Sequence, residues 1–80
     1  DIYQLGSTLY ALLTGRPPFE GANVAEVIPQ VLRETPVPPT RHHLAIPPLL
    51  EGAIGTMLSK RPQDRFGSAR DLLRALKRAE

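Results

Sequence analysis

The stretch IYQLGSTLYALLTG, residues 2–15, decides the fold because it carries no charged side chain over fourteen positions. Its strongest apolar stripe at helical spacing consists of Leu5, Leu9, Leu12 and Leu13. Other apolar side chains continue around the helix, and the polar positions are Gln4, Ser7, Thr8 and Thr14. A helix that is apolar nearly all round is buried on most sides, whereas a membrane span needs about 20 apolar residues. The stretch therefore predicts the central helix of a soluble domain.

The chain is too short to cover such a helix by itself. It has 80 residues, and a domain of this size buries only roughly 60 to 65% of the surface that its unfolded chain exposes. The sequence also opens on Asp1 rather than on an initiator methionine. We therefore expect a fragment of a larger protein whose remainder is its partner, and we expect uncovered helix surface to promote self-association.

Four helices and no strand are predicted, which makes the chain all-α. The helices are expected over about residues 1–14, 23–34, 47–59 and 68–79. Gly15 ends the first helix, because glycine readily adopts the left-handed conformation that terminates helices. Asn23 caps the second helix while Glu26 reaches back toward it. Ser68 caps the fourth helix.

Prolines mark the irregular part of the chain. Pro29 lies inside the second helix at a cost of about 3 kcal/mol, so we expect a kink there or a later helix start. Residues 35–48 contain five prolines and form an extended connector, which Leu44 and Ile46 should anchor to the core. The predicted apolar faces of the second, third and fourth helices are Val24, Val27, Ile28, Val31 and Leu32, then Leu50, Ile54, Met57 and Leu58, then Ala69, Leu72, Leu73 and Leu76.

The composition argues against several classes of functional site. Without cysteine there is neither a disulfide framework nor a cysteine-based zinc site. His42 and His43 have no acidic residue within seven positions, which favours exposed loop histidines over metal ligands. No glycine-rich phosphate loop occurs, and no serine has a paired base at useful spacing. The sequence therefore predicts no catalytic, cofactor-binding or metal-binding residue in this chain.

Positive charge is concentrated at the carboxyl end, where seven of the ten basic residues lie in the last 21 positions. Arg70, Arg74 and Arg78 share one helical stripe that could meet phosphates. No aromatic residue interleaves them, so a solvated face is favoured and no nucleic acid is expected as a partner. A small helical nucleic-acid binder is the weaker alternative.

Arg65 lies in a turn between two predicted helices, immediately before Phe66, which should be buried. An arginine held against a core usually needs a carboxylate, because its fixed fork of donors matches planar acceptors. The chain offers four acidic candidates, and spacing favours none of them. They are Asp1, Glu51, Asp64 and Asp71. An exposed Arg65 is the alternative.

Three motifs carry a family resemblance. They are DIYQLG at residues 1–6, LLTGRPPF at residues 12–19 and PQDRF at residues 62–66, followed by Ser68 and Ala69. In this order they resemble the lower half of the C-lobe of eukaryotic-type protein kinases, and most closely that of bacterial Ser/Thr kinases. The resemblance implies a four-helix fragment of a kinase-like C-lobe, residues 1–80, whose helices correspond to those lettered F to I.

The resemblance also implies structural roles for single residues. Asp1 would hydrogen-bond backbone amides of the catalytic loop, although an ordinary N-cap onto Tyr3 or Gln4 is the alternative. Thr8 and Leu12 would end the adenine-linked stack of apolar side chains, and Gly6 would allow close backbone approach. The second helix commonly serves the family as a docking or dimerisation surface, for which the residues here would be Val24, Val27, Ile28 and Val31.

Arg65 matches the arginine that forms a buried ion pair with the glutamate closing the activation segment. That glutamate would lie outside this chain. For the chain alone we therefore expect Arg65→Ala to be nearly neutral.

The implied parent is an ATP- and magnesium-dependent protein Ser/Thr kinase that acts on protein substrates in the cytoplasm, either freely or as the cytoplasmic domain of a membrane-anchored protein. In it, this chain would scaffold the catalytic loop and the activation segment. The alternative is a pseudokinase or kinase-derived interaction module, which would keep the scaffold and lose the catalytic residues.

The first prediction concerns chemistry in isolation. The purified 80-residue chain should neither bind ATP tightly nor transfer its phosphate, because the nucleotide-positioning loop and the metal carboxylates are not in its sequence. Incorporation of labelled phosphate from ATP, with an active kinase as positive control, is the measurement. Magnesium-dependent incorporation by the chain would contradict the prediction.

Overall fold

The computed structural model describes residues 1–78, which form four α-helices and two single-turn 3-10 helices. The α-helices are α1 (Ile2–Thr14), α2 (Val24–Arg33), α3 (Pro48–Met57) and α4 (Ala69–Arg78), and the 3-10 helices are Pro39–Arg41 and Pro62–Asp64. No strand occurs among these residues, so the all-α, four-helix prediction is confirmed. The predicted helical position 79 lies outside the described residues.

The ends of α1 are fixed by local hydrogen bonds. The Asp1 carboxylate accepts a hydrogen bond from the Gln4 backbone N–H at 2.9 Å, which satisfies one of the unpaired donors of the first turn. Gly15 has a φ of 80° and donates its N–H to the Ala11 carbonyl at 2.9 Å. A side chain would strain this backbone, so glycine is suited to the stop.

Helix α2 begins at the predicted cap and runs through its proline. The Asn23 side chain accepts from the Glu26 N–H at 3.1 Å, while the Glu26 carboxylate accepts from the Ala22 N–H at 2.6 Å. The second contact reaches one residue farther back than a standard capping box. Because α2 spans Val24–Arg33 with Pro29 inside, the later helix start is wrong.

The core lies where α1 packs against α3. Tyr10, Ile54 and Leu58 form its centre, and Met57 beside them is completely buried. The two helices lie close together at Gly6, because a Cβ built on this residue would lie 2.7 Å from the Met57 Cβ.

The proline-rich connector packs onto this core through the Tyr10 side chain. The Tyr10 hydroxyl donates to the Val37 carbonyl at 2.6 Å, and burial raises the pKa of that hydroxyl. Pro39 and Ile46 are buried, as expected of a connector that follows the surface. The expectation for Leu44 is wrong, since 91% of it is exposed. The chain turns between Arg41 and Ile46, and this turn places Leu44 on the solvent side.

Helix α4 packs on the core by a narrower face than predicted. Ser68 caps it by accepting from the Asp71 N–H at 3.1 Å, and Leu72 is buried. Leu76 is half-buried, whereas Leu73 and Ala69 are exposed, so the predicted four-residue buried face is wrong at two positions. Because α4 packs mainly against α3, a single stripe of its surface is covered.

A pair of glycine substitutions tests the packing between α1 and α3. Gly6→Ala places a methyl group against Met57 and should destabilise the fold by about 1 to 3 kcal/mol through overpacking. Gly52→Ala, in α3 with no heavy atom within 4 Å of the added Cβ, should stabilise by about 0.5 to 1 kcal/mol. Urea unfolding of both variants measures the difference. Equal effects of the two substitutions would contradict the close approach at Gly6.

Candidate anchoring site on α1 and at Arg65

One face of α1 is left uncovered by the described part of the chain. Asp1, Leu5, Thr8 and Leu12 are spaced four, three and four residues apart, which places them along a single helical face. All four are exposed, and Leu12 is 75% exposed. The opposite face carries Gly6 and Tyr10, the buried residues of the helix. Within residues 1–78, α1 is therefore a one-sided helix, although its sequence suits burial on most sides.

Three of the residues singled out by the family resemblance thus share this face. Thr8 and Leu12 lie one turn apart, and Asp1 lies at the amino end of the same stripe. In this chain Asp1 acts as the N-cap onto Gln4, which was the alternative reading. Its contact with a catalytic loop stays a prediction.

Arg65 is held by backbone carbonyls. Its Nε donates to the Ser59 carbonyl at 2.8 Å, and its Nη2 donates to the Lys60 carbonyl at 3.4 Å. The guanidinium lies 4.8 Å from the centroid of the Tyr3 ring, within the range of a cation–π contact. These contacts tie the turn before α4 to the first turn of α1.

Within the described residues, Arg65 is therefore held without a carboxylate. None of the four acidic candidates pairs with Arg65 among the described residues. Helix α3 ends at Met57, so the carbonyls of Ser59 and Lys60 lie beyond it. They have no partner within a helix and can accept hydrogen bonds from Arg65. This arrangement removes the reason for expecting Arg65→Ala to be neutral in the chain.

A surface cavity of about 460 Å³ opens beside Arg65, between the amino end of α1 and the carboxyl end of α2. Its lining consists of Asp1, Tyr3, Gln4, Val31, Leu32, Lys60 and Arg65. Two of these side chains are cations and one is a carboxylate. Among residues 1–78, Arg65 Nη1 donates no hydrogen bond. The cavity thus brings two cationic side chains, Lys60 and Arg65, beside the amino end of α1.

Lys60 was missed by sequence reasoning. Its Nζ donates to the Val31 carbonyl at 2.9 Å and lies 4.5 Å from the centroid of the Phe19 ring. Burial lowers the pKa of this amine, and the nearby Glu34 carboxylate opposes the shift. Both contacts cross large distances in the sequence, and one of them is to a backbone atom, so no spacing pattern could reveal them.

The suggested docking surface on α2 is exposed in part. Val24 and Ile28 are 69% and 51% exposed, while Val27 and Val31 are half-buried. Leu32, outside the original set, is also exposed. No residue of α2 is fully buried, so this helix lies against the body rather than within it.

Residues 1–78 bring together no group of three His, Cys, Asp or Glu side chains that could hold a metal ion. His42 and His43 are exposed, and the ring of His42 meets that of Tyr10 edge-on. None of the helices in the described range has the length and hydropathy required to cross a bilayer.

Comparison with known proteins gives one consistent group of relatives, although no protein-family model matches the chain. The chain is 42% identical over 72 residues to the serine/threonine-protein kinase PknB of Mycolicibacterium smegmatis. It is 36% identical over 76 residues to a probable serine/threonine-protein kinase of Corynebacterium efficiens. It is 35% identical over 69 residues to the serine/threonine-protein kinase PksC of Streptomyces coelicolor.

These matches cover 90%, 90% and 86% of the chain, respectively, and the chain spans 12% of the length of each relative. The similarity therefore concerns one segment of much longer proteins. Along most of its length the chain is similar to bacterial serine/threonine-protein kinases, which confirms the resemblance seen in its motifs and its fold class as an all-α, kinase-like C-lobe fragment.

Proposed function

We propose that the chain is the lower C-lobe portion of an ATP-dependent protein Ser/Thr kinase, in which it scaffolds the catalytic loop and the activation segment. The observation that carries this proposal is the placement of Asp1, Thr8 and Leu12 on one uncovered face of α1. These are the positions at which the family resemblance requires contact with the rest of a kinase domain. The chain's own core lies on the other side of the helix.

The uncovered face supplies a driving force for that contact. Leu5 and Leu12 are both exposed on it, and full burial of a leucine side chain contributes about 1.5 to 3 kcal/mol. Asp1 would orient the contacting loop at the amino end of the helix, because a carboxylate can accept hydrogen bonds from the loop's backbone amides as well as from its own helix. An apolar stripe that ends in a carboxylate suits a packed loop with free N–H groups.

The cavity beside Arg65 supports the second anchoring role. The guanidinium is already oriented by Ser59, Lys60 and the Tyr3 ring, so it loses little freedom on binding a carboxylate. The glutamate that closes the activation segment would enter here and use the unused donor of Arg65. An ion pair with the fixed Arg65 guanidinium would hold the activation segment in a defined position.

ATP and magnesium belong to the remainder of the protein under this proposal, as do the protein substrates and the cytoplasmic location. The described residues form no metal ligand set of their own, and this chain contributes the positioning of loops. Val24, Val27, Ile28 and Val31 of α2 are kept as a docking or self-association surface, of which Val24 and Ile28 are the most accessible. A pseudokinase would use the same scaffold, and only the complete protein separates the two.

Phosphate transfer by the complete protein tests the proposal. The wild type should phosphorylate a protein substrate with ATP and magnesium, and Asp1→Ala should reduce the rate by about 100-fold or more, since a misplaced catalytic loop loses that much. Asp64→Ala is the matched control, because that exposed carboxylate only meets Arg61 at 4.0 Å. A folded but inactive wild type would favour the pseudokinase. An active Asp1→Ala variant would contradict the role given to Asp1.

Arg65 gives a prediction that compares two contexts. In the chain alone, Arg65→Ala should cost about 1 to 2 kcal/mol, because two charged hydrogen bonds are lost. In the complete protein the loss should rise to about 3 to 5 kcal/mol, because a buried carboxylate is left unpaired. Arg65→Lys should fall between the wild type and Arg65→Ala in both.

Thermal unfolding of each protein is the measurement, with Arg70→Ala in α4 as an exposed control expected within about 0.5 kcal/mol of the wild type. Equal losses in the chain and in the complete protein would mean that no carboxylate joins Arg65 from outside. The ion-pair role would then be withdrawn, while the carbonyl contacts would stand.

A further inference from the structure

Helix α2 is the least anchored helix of the described chain, so the contacts that fix its orientation need an explanation. It contributes no buried residue, and Val24, Ile28 and Leu32 are exposed on its surface. Most of its polar contacts are local. The Gln30 amide, for example, donates to the Glu20 and Glu26 carbonyls. Apolar packing alone therefore gives α2 little to hold its orientation.

Among residues 1–78, one hydrogen bond connects α2 to a part of the chain outside residues 20–34. It is the bond from Lys60 Nζ to the Val31 carbonyl, at 2.9 Å, between residues 29 positions apart. Val31 belongs to the last turn of a helix that ends at Arg33, so its carbonyl has no partner within the helix. The lysine therefore acts as a C-terminal cap supplied by a distant part of the chain, with its charge at the negative end of the helix dipole.

The rest of Lys60 is fixed at the same time. Its ammonium group lies over the Phe19 ring at 4.5 Å, and its backbone carbonyl accepts from Arg65 Nη2. The amine is partly desolvated, which lowers its pKa and strengthens the hydrogen bond it makes. A single residue thus contacts the carboxyl end of α2, the segment before α2 and the arginine that stacks on α1.

We propose that Lys60 is the positioning residue of α2, and that its cap on Val31 couples the orientation of this helix to the Arg65 turn. Loss of the cap would release the carboxyl end of α2 while α1 and α3 stay packed, since the amine contacts the Val31 carbonyl and the Phe19 ring, which lie outside the core cluster of Tyr10, Ile54 and Leu58. The inference goes beyond the proposed kinase role and does not depend on it.

Amide hydrogen exchange of the full 80-residue chain tests the proposal with residue resolution. Lys60→Met keeps an apolar stem of similar length and removes the donor and the charge. Amides of α2 should then exchange about tenfold faster or more, the loss expected for a hydrogen bond to a charged group. Amides of α1 and α3 should keep their wild-type rates.

Two further variants separate capping from a general effect of substitution. Lys77→Met, at the one other lysine of the sequence and on the exposed side of α4, should leave α2 exchange unchanged. Lys60→Arg retains a cationic donor that can cap a carbonyl and stack on Phe19, so it should restore at least part of the protection.

Three results would overturn the proposal. The first is α2 exchange in Lys60→Met equal to that of the wild type, and the second is a wild-type α2 without protection. The third is a loss of protection in α1 and α3 as large as that in α2, which would show that Lys60 supports the whole fold rather than the position of one helix.

Discussion

The packing of α1 against α3 at Gly6 is the contact on which the rest of the structure depends. The absence of a side chain at Gly6 lets Met57 and Leu58 approach the helix backbone, and this closeness buries Tyr10 against Ile54. Tyr10 in turn holds the connector through Val37, and α3 provides the surface on which α4 packs. One close approach thus positions three of the four helices and the chain between them.

Backbone carbonyls near helix ends organise the remainder of the chain. Arg65 donates to carbonyls that follow α3, and Lys60 donates to a carbonyl in the last turn of α2. Both cations therefore satisfy acceptors at or just beyond the end of a helix, and both lie against an aromatic ring. The cavity they line faces the amino end of α1, where Asp1 begins the uncovered stripe. Anchoring to the rest of a larger domain would use this corner and that stripe together.

Local features of the fold could be predicted from the sequence, whereas contacts between distant residues could not. The caps at Asp1, Asn23 and Ser68 and the stop at Gly15 depend on residues within four positions, so residue type and spacing were sufficient. The carbonyl partners of Arg65 escaped prediction because a backbone acceptor has no signature in the side-chain sequence. Lys60 escaped for the same reason.

The burial of single apolar residues could not be predicted reliably, because it depends on which neighbouring elements cover them. Leu73 and Leu44 are apolar and were expected to be buried, yet they are 52% and 91% exposed. The same limit applies to α1. Its composition predicts a helix suited to a larger core, and the residues that the family resemblance assigns to that core, Thr8 and Leu12, lie on its open face.

The central claim is that the open face of α1 is covered by the rest of a larger domain, and cysteine labelling measures this directly because the chain has no cysteine of its own. Leu12→Cys should react rapidly with a thiol reagent in the 80-residue chain. In the complete protein it should react at least about tenfold more slowly, with the modified peptide identified by mass spectrometry. Leu44→Cys, in the exposed connector turn, should react equally fast in both. Equal, rapid labelling of Leu12→Cys in both proteins would contradict the account.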